Sequence, residues 1–563
     1  MGFSFSSTRF GYLTTITFLL VVSCLLLGFF TNPVDSSALL KPKSEHDCSA
    51  LKHFHDYKSK CAYLKSIDPC ANQGFFDYLS FLYCNFERFP ILGQFLLFLW
   101  LLLLFYLLGH TASEYFCSSL ESLSKLLNLS PTVAGVTLLS LGNGAPDLFA
   151  SLVSFMGESK GTYDVGLNTV VGGSSFVTCV VVGVISIALH KRRVRVERAA
   201  FIRDICFFCA AIGSLALILV YGKINFWGAL GFCSLYAVYV AFVYISWRFG
   251  GEGSDSDLES IHKRGSSLSE PILQRDGLDL EHIEDGGVVT GEHQAVEDGD
   301  HQGFDHRKRL VIWVITLPLN LPRILTIPVV SEANWSKPLA VASVTFAPVL
   351  LSFLWNWKRE PTSTEAGIVY LIGCLIGIAL GFIAGGTTKK STPPKKWLLP
   401  WLAGGFVMSM TWSYMSAQEL VALLTSLGYI FGVSPSILGL TVLAWGNSIG
   451  DLITNVTMAL HDGNEGAQVA VSGCYAGPIF NTLFALGISL VGCAWQVYPS
   501  SIVIKTDPRL LESLGFLVIG LVWSFLVLFS NRMRLGGVMG IGLLVIYLAS
   551  LSIRIMQTVG DAH

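Results

Sequence analysis

Long apolar stretches separated by short polar ones set the pattern of this chain. A helix needs about 20 mostly apolar residues to cross a bilayer, because only a backbone paired within its own segment survives in hydrocarbon. Such runs fall near 91–108, 130–156, 166–189, 202–221, 226–247, 338–355, 366–386, 400–428, 434–460, 468–494, 511–529 and 536–557. The pattern predicts an all-α polytopic membrane protein in a lipid bilayer. Composition agrees: 52% of the 563 residues are apolar and only 13% are charged, where a soluble domain carries about 25% charged residues. A water-covered soluble enzyme is excluded. The net charge of -2 leaves no broad basic face, so no nucleic acid is expected as a partner.

The run at 12–30 stands apart. Only Arg9 is charged before it, and the small residues Ser36, Ser37 and Ala38 follow, in the form of a secretory signal peptide with its cleavage site. An uncleaved anchor is the competing reading, since the run is long for a signal core. Residues 1–38 are thus a leader or anchor, and 39–90 an extracytosolic segment. Entry into the secretory pathway points to the plasma membrane, or alternatively to a vacuolar or other endomembrane. The translocated segment holds Cys48, Cys61, Cys70 and Cys84, an even set in a compartment that permits disulfides. Two bridges are predicted, with three pairings open.

Basic residues mark the cytosolic side. Lys191, Arg192, Arg193, Arg195 and Arg198 therefore belong inside, as do Arg532 and Arg534. Residues 249–308 are acidic and rich in Gly and Ser, with no apolar period, and read as a disordered cytosolic loop between two halves. Its histidines are irregularly spaced, as in a solvated linker, and the loop's regulatory partner is unknown. The stretch 310–330 is apolar, but Pro318, Pro322 and Arg323 in its middle argue for an interfacial or re-entrant segment that does not span. A glycan on Asn334 would overturn that topology. The resulting organisation is a first repeat domain at 91–248, inter-repeat apolar segments at 309–399 and a second repeat domain at 400–563.

The repeat itself is read from self-similarity. Residues 130–148 are SPTVAGVTLLSLGNGAPDL and residues 434–452 are SPSILGLTVLAWGNSIGDL, at a constant offset of 304. The offset pairs Gly142 with Gly446, Asn143 with Asn447 and Asp147 with Asp451, and continues to Phe176 with Phe480 and Val177 with Asn481. Chance similarity of apolar helices matches leucines, not Gly-Asn and Asp. Seven crossings separate the two copies, so they run in opposite directions across the membrane. The same parity puts Lys389, Lys390, Lys395 and Lys396 inside.

Inverted repeats with Gly and Pro interruptions near the midplane point to a transporter's binding site. Gly142, Gly144 and Pro146 are predicted to interrupt the first copy, and Gly446 and Gly450 the second, freeing backbone carbonyls for a cation. Asn143 and Asp147 are four apart and share a helix face, as do Asn447 and Asp451. A carboxylate at the membrane centre costs about 3 kcal/mol on insertion scales, so it normally faces a partner or a water-filled path. Two of them converging make a hard oxygen site. Calcium accepts six to eight oxygens in variable geometry, and neither His nor Cys stands in these motifs to suggest a softer metal. Thr137, Thr441, Ser448 and Ser174 are candidate hydroxyl ligands, with Asn481 on the following helix. A lone intramembrane Asp would read as hydrogen-bonded glue between helices; its recurrence behind Gly-Asn in both halves argues against that. Glu114 and Glu419, near the leading helices of the repeats, are candidates for ion entry, although interfacial or paired glutamates are commoner.

At GNGAPD (142–147) and GNSIGD (446–451) the chain resembles the calcium/cation antiporter superfamily. Within it the closer resemblance is to the cation/calcium exchanger branch, which includes plant cation/calcium exchangers and the mitochondrial sodium/calcium/lithium exchanger. The resemblance covers 91–247 and 400–557. It implies a core of two inverted five-helix repeats, with extra helices between the halves, and exchange of Ca2+ against Na+, K+ or H+. By motif position it implies ion ligands at Asn143, Asp147, Asn447, Ser448 and Asp451, with Gly477 and Asn481 on the next helix. Relatives commonly carry a further Asp where Asn481 stands, and many carry Asn where Val177 stands. Two formal negative charges match one Ca2+ or two monovalent ions, and by charge alone support a third sodium or a co-transported potassium less well.

The expected activity is secondary-active antiport of Ca2+ for monovalent cations by alternating access, without a resident cofactor and without enzyme chemistry. A monovalent Na+ or K+ exchanger, with H+ as counter-ion, is the alternative on the same scaffold. An intramembrane aspartyl protease is the remote one, since the Tyr-Asp and Gly-x-Gly-Asp patterns of such dyads do not surround Asp147 or Asp451.

Overall fold

The computed structural model describes residues 54, 56–66, 74–117, 119, 141, 144–156, 163–192, 194–250, 317, 319–329, 335–357, 364–390, 398–461, 463–504 and 508–561. The leader or anchor at 1–38, Cys48, Cys70, Thr137, Gly142, Asn143, Pro318, Asn334 and nearly all of the 249–308 loop lie outside these residues. The helices are α1 (Tyr57–Ser66), α2 (Pro90–His110), α3 (Ala145–Met156), α4 (Tyr163–Ala188), α5 (Arg198–Tyr221), α6 (Phe226–Gly250), α7 (Lys337–Asn356), α8 (Thr364–Thr387), α9 (Leu398–Phe431), α10 (Ala444–His461), α11 (Gly466–Gln496), α12 (Pro508–Ser530) and α13 (Gly537–Asp561). Ten helices among the described residues are long and apolar enough to cross a membrane, and the chain is an all-α multi-pass membrane protein.

The chain divides into two compact units. The first comprises Met1–Ala112, Ser124–Asp255 and Ser413–His563, and so holds both motif-bearing regions. Its core joins residues of both repeats, including Val177, Val181 and Ile185 from α4 and Ile479, Phe480, Leu483 and Leu486 from α11. These helices are the most enclosed of the spans, because helices of both repeats pack around them.

Opposite polarity of the repeats follows from two backbone contacts in this unit. Arg195 pairs with Arg534, and Leu535 N–H donates to the Val194 carbonyl at 3.0 Å, so the α4–α5 and α12–α13 loops share one end. The strands β1 (Lys223–Ile224) and β2 (Ile502–Val503) pair antiparallel, so the α5–α6 and α11–α12 loops share the other. Helix α4 therefore runs toward the arginine end, while its equivalent α11 runs away from it. The Arg192 guanidinium, donating at 2.6 Å to the Leu460 carbonyl, adds the end of α10 to the arginine end.

The interruptions do not all fall where the glycines predict them. Gly144 lies in a turn and α3 is described from Ala145, in line with the first motif. In the second motif α10 passes through Gly446 and Gly450 unbroken. Gly446 serves close packing instead: a Cβ there would overlap the Phe105 ring of α2. The ladder widens one turn earlier, in a π-helical turn at Gly439–Leu443. Two more π turns, Phe176–Val181 in α4 and Phe480–Ala485 in α11, stand at equivalent positions of the repeats. Such turns commonly mark functional sites.

The second unit comprises Ser113–Leu123 and Ser256–Trp412. Its α7 and α8 form an antiparallel pair in which Gly373, Gly377 and Gly381 make a small-residue stripe at intervals of four. Side chains there would collide with Ser352 and with Thr345, so the backbones approach closely, as membrane helices do where little apolar driving force exists. Lys337 closes the open end by donating to the carbonyls of Gly385 at 2.7 Å and Thr388 at 2.8 Å. Within 310–330, helix covers 319–324 and gives way to a turn at 325–327. Arg323 is fully buried there, donating to the Leu319 carbonyl at 3.2 Å and lying 5.9 Å from the Tyr115 ring centroid, with Glu114 as its nearby opposite charge.

Candidate functional site

The predicted residues that lie among those described converge inside the first unit. Asp147, in the first turn of α3, is 3% exposed. Its Oδ1 accepts from the Asn447 amide at 2.8 Å and its Oδ2 from the Asn481 amide at 2.6 Å. Both donors come from the opposite repeat, from α10 and from the π turn of α11. Because each amide turns its nitrogen to Asp147, its oxygen is left over. Asn447 Oδ1 and Asn481 Oδ1 are buried without a hydrogen-bond partner, as are the hydroxyls of Ser448 and Ser174. A buried acceptor left unpaired costs about 1–3 kcal/mol. Several around one carboxylate therefore form an arrangement that a hard cation relieves.

Asp451 is the equivalent carboxylate and its setting differs. It is partly exposed, it lies within electrostatic reach of Asp147, and among the described residues no side chain donates to its carboxylate. Val177, where the other repeat has Asn481, is buried in the apolar core. Close approach beside Asp147 rests on Gly144, while Gly173 has room for ordinary contact. A Cβ at Gly144 would overlap Asn481 Oδ1, and one at Gly173 would stand 3.4 Å from Ser448 Oγ and 3.5 Å from Asp147 Oδ2. At Gly477, the equivalent of Gly173, a Cβ would meet nothing within 4 Å.

Not every predicted residue joins the cluster. The Thr441 hydroxyl donates to the Ile437 carbonyl of its own helix at 2.7 Å, which engages its proton and leaves its oxygen lone pairs. Pro146 is buried in the first turn of α3, where a missing N–H is tolerated. Ser151 was not anticipated. It is fully buried with an unpaired hydroxyl, and four residues separate it from Asp147, as four separate Asp147 from Asn143. The stripe 143, 147, 151 recurs as 447, 451, 455, where Asn455 is also buried. That i, i+4 extension was the available signal. In the N-terminal segment Cys61–Cys84 is bridged, Cys48 and Cys70 lying outside the described residues, and Cys206 and Cys209 are free thiols. No group of three or more His, Cys, Asp or Glu side chains is placed to hold a metal among the described residues. The donors are amides and hydroxyls around few charges.

Opposed repeats that meet at carboxylates inside the membrane are how secondary transporters are built, and the chain belongs to that class of antiporters, not to the enzymes. It is a member of the sodium/calcium exchanger protein family, which it matches over residues 97–245 and 401–556. It is 92% identical to cation/calcium exchanger 2 of Arabidopsis thaliana over the full length of both chains. It is 48% identical to cation/calcium exchanger 1 of the same plant, over 91% of this chain and 90% of that one. The mitochondrial sodium/calcium exchanger protein of Mus musculus is 31% identical over 92% and 91%. Among solved structures, the H+/Ca2+ exchanger CAX aligns at a TM-score of 0.42 and 13% identity, over 90% of this chain and 94% of that one. The sodium-calcium exchanger NCX_Mj aligns at 0.36 and 14%, over 81% and 98%.

Proposed function

We propose that this protein is a secondary-active antiporter that moves Ca2+ against Na+ by alternating access, through a site built on Asp147 and Asp451. The observation that carries the reading is the set of unpaired oxygens of Asn447, Asn481 and Ser448 around the Asp147 carboxylate. A half-turn of each amide exchanges its nitrogen for its oxygen, so a cation arriving at Asp147 finds two amide oxygens in place of two N–H donors. Asn143, the repeat equivalent of Asn447, completes the ligand set by symmetry. Two carboxylates neutralise one Ca2+ or two Na+ ions, and either load leaves the buried site uncharged, which keeps the cost of crossing low. The names of the relatives support calcium as cargo and sodium as counter-ion.

The arginine end, with Arg192, Arg195, Arg198, Arg532 and Arg534, is assigned to the cytosol. The opposite end is extracytosolic, and the Cys61–Cys84 bridge in the segment preceding α2 suits an oxidising compartment.

The test is radiolabelled calcium uptake into proteoliposomes under separately imposed Na+, K+ and H+ gradients. Uptake driven by Na+ and lost in both Asp147→Asn and Asp451→Asn is expected. Undiminished uptake in both variants refutes the site. Uptake driven only by K+ or H+ reassigns the counter-ion, and Na+ or K+ movement without calcium flux replaces calcium as cargo.

A further inference from the structure

Glu419 contributes nothing to the cation cluster, yet its side chain is buried, 6% exposed, in the part of α9 that belongs to the first unit. No ion pair engages it among the described residues. Its partners are neutral donors from the segment before α2: the Phe75 backbone N–H donates to one oxygen and the Tyr78 hydroxyl to the other. Gly74 lies flat on the same carboxylate, since a Cβ there would stand 2.8 Å from Oε1 and 3.0 Å from the Ala422 Cβ. Tyr78 in turn accepts from the Trp100 indole N–H of α2 at 3.0 Å. One tyrosine thus ties α2 to α9.

The segment is wedged deeply along α2. Leu82 and Phe86 press on Gly93, where a Cβ would lie 2.7 Å from Leu82, and the Phe76 ring meets the Trp100 ring edge-on at 6.1 Å. Gly93 to Trp100 is two helical turns, or about 10 Å along the axis. Five residues further, Phe105 packs on Gly446, next to Asn447 of the cation cluster. Tyr78, Leu79, Leu82 and Tyr83 are all buried, and Cys84 is bonded to Cys61 of α1, so the wedge is held from behind.

We propose that residues 74–86 are a plug in the extracytosolic entrance of this transporter, anchored on Glu419 through Tyr78, and that lifting it is a step of opening to that side. The assignment of sides rests on the topology under Proposed function; the plug contact itself does not depend on transport. With the plug seated, Glu419 and the adjacent Ala422, which is 2% exposed, are shut from solution. With it lifted, both open to the extracytosolic side.

The test uses the full chain in proteoliposomes with Ala422→Cys as reporter, alkylated by a membrane-impermeant maleimide and read at that peptide by mass spectrometry. Labelling from the extracytosolic face is expected to be slow, and about tenfold faster when Tyr78→Phe is added, the size of one hydrogen bond to a charged acceptor. Paired Cys61→Ser and Cys84→Ser substitutions are expected to speed it in the same direction. In the chain without the reporter, Tyr78→Phe should lower the extracytosolic KM for the transported cation and leave the cytosolic KM unchanged. Equal labelling rates with and without Tyr78→Phe, in protein that unfolds at the same temperature, overturn the plug. Labelling from the cytosolic face alone overturns the assigned sides and the plug with them. Tyr78-dependent labelling in a chain that carries no calcium supports the plug and counts only against the exchanger reading.

Discussion

Asp147 and Asp451 stand at the same place in two copies of one sequence, yet their surroundings are unlike. Asp147 is enclosed and holds two amide donors sent from the other repeat. Asp451 is partly exposed and faces the charge of Asp147 without a side-chain donor among the described residues. One visible difference is a position in the π turns, Asn481 in α11 against Val177 in α4; Asn143, the repeat equivalent of Asn447, lies outside the described residues. Duplication supplies a pair of carboxylates, and divergence among their neighbours makes them unequal. One carboxylate is held by two amides, and the other meets no side-chain donor among the described residues.

The largest effects should come from the carboxylates. Asp147→Asn and Asp451→Asn are both expected to reduce calcium uptake to that of empty liposomes, since each leaves one charge to hold a divalent ion. Asp147→Asn should still fold, because Asn447 or Asn481 can turn its unpaired oxygen toward the new amide. The carboxylates part company when replaced by leucine. Asp147→Leu strands two buried amide donors, at about 1–3 kcal/mol each, whereas Asp451→Leu removes a repulsion and strands no side-chain donor among the described residues. Thermal unfolding in detergent should show Asp147→Leu destabilised and Asp451→Leu unchanged or raised. Equal losses would erase the distinction drawn between the two sites.

Smaller effects should follow from disturbing only the neighbours of Asp147. Asn481→Leu removes a donor to the resting carboxylate and an oxygen for the ion, and is expected to raise the calcium KM about 10- to 100-fold, as lost supporting ligands do. Gly144→Ala should do the same indirectly, because its Cβ would overlap Asn481 Oδ1 and lie 2.7 Å from the Phe480 ring. Since both act through one amide, the double variant should be little worse than either alone. Additive losses in uptake kinetics would mean that Gly144 matters for some reason other than Asn481.

Much of this was legible in the sequence. The 304-residue offset, the recurrent Gly-Asn and Asp, and the count of crossings led to an inverted repeat, whose polarity the pairings of Arg195 with Arg534 and of β1 with β2 require. Hydropathy and motif similarity report each helix by itself, so they do not tell which partner a side chain meets. That Asn447 and Asn481 both turn to Asp147, that Phe105 explains Gly446, and that the Thr441 hydroxyl donates to its own helix are facts about neighbours. The π turns at 176–181 and 480–485 were also hidden, because one extra residue in a turn leaves an apolar run looking the same. Glu419 was visible as an acid on a leading helix. Its partners, Phe75 and Tyr78, lie more than 340 residues away in a segment marked only by its cysteines.

The subtlest change tests whether position 177 is the origin of the asymmetry. The π turn that carries Val177 packs against α10, which carries Asp451, as the Asn481 turn meets Asp147 across the other half. Val177→Asn would offer Asp451 the amide it lacks. One ordinary hydrogen bond in the loaded site should tighten calcium binding about threefold to tenfold, read as a lower KM for uptake. The same substitution places an amide among apolar core residues, so the melting temperature should fall in the absence of cation and recover as calcium is added. Recovery with calcium is the informative part, because a misplaced polar group would cost stability at every calcium concentration. If the loss persists with calcium and the KM is unmoved, position 177 does not face Asp451. The inequality of the two carboxylates must then come from Asn143 and its surroundings.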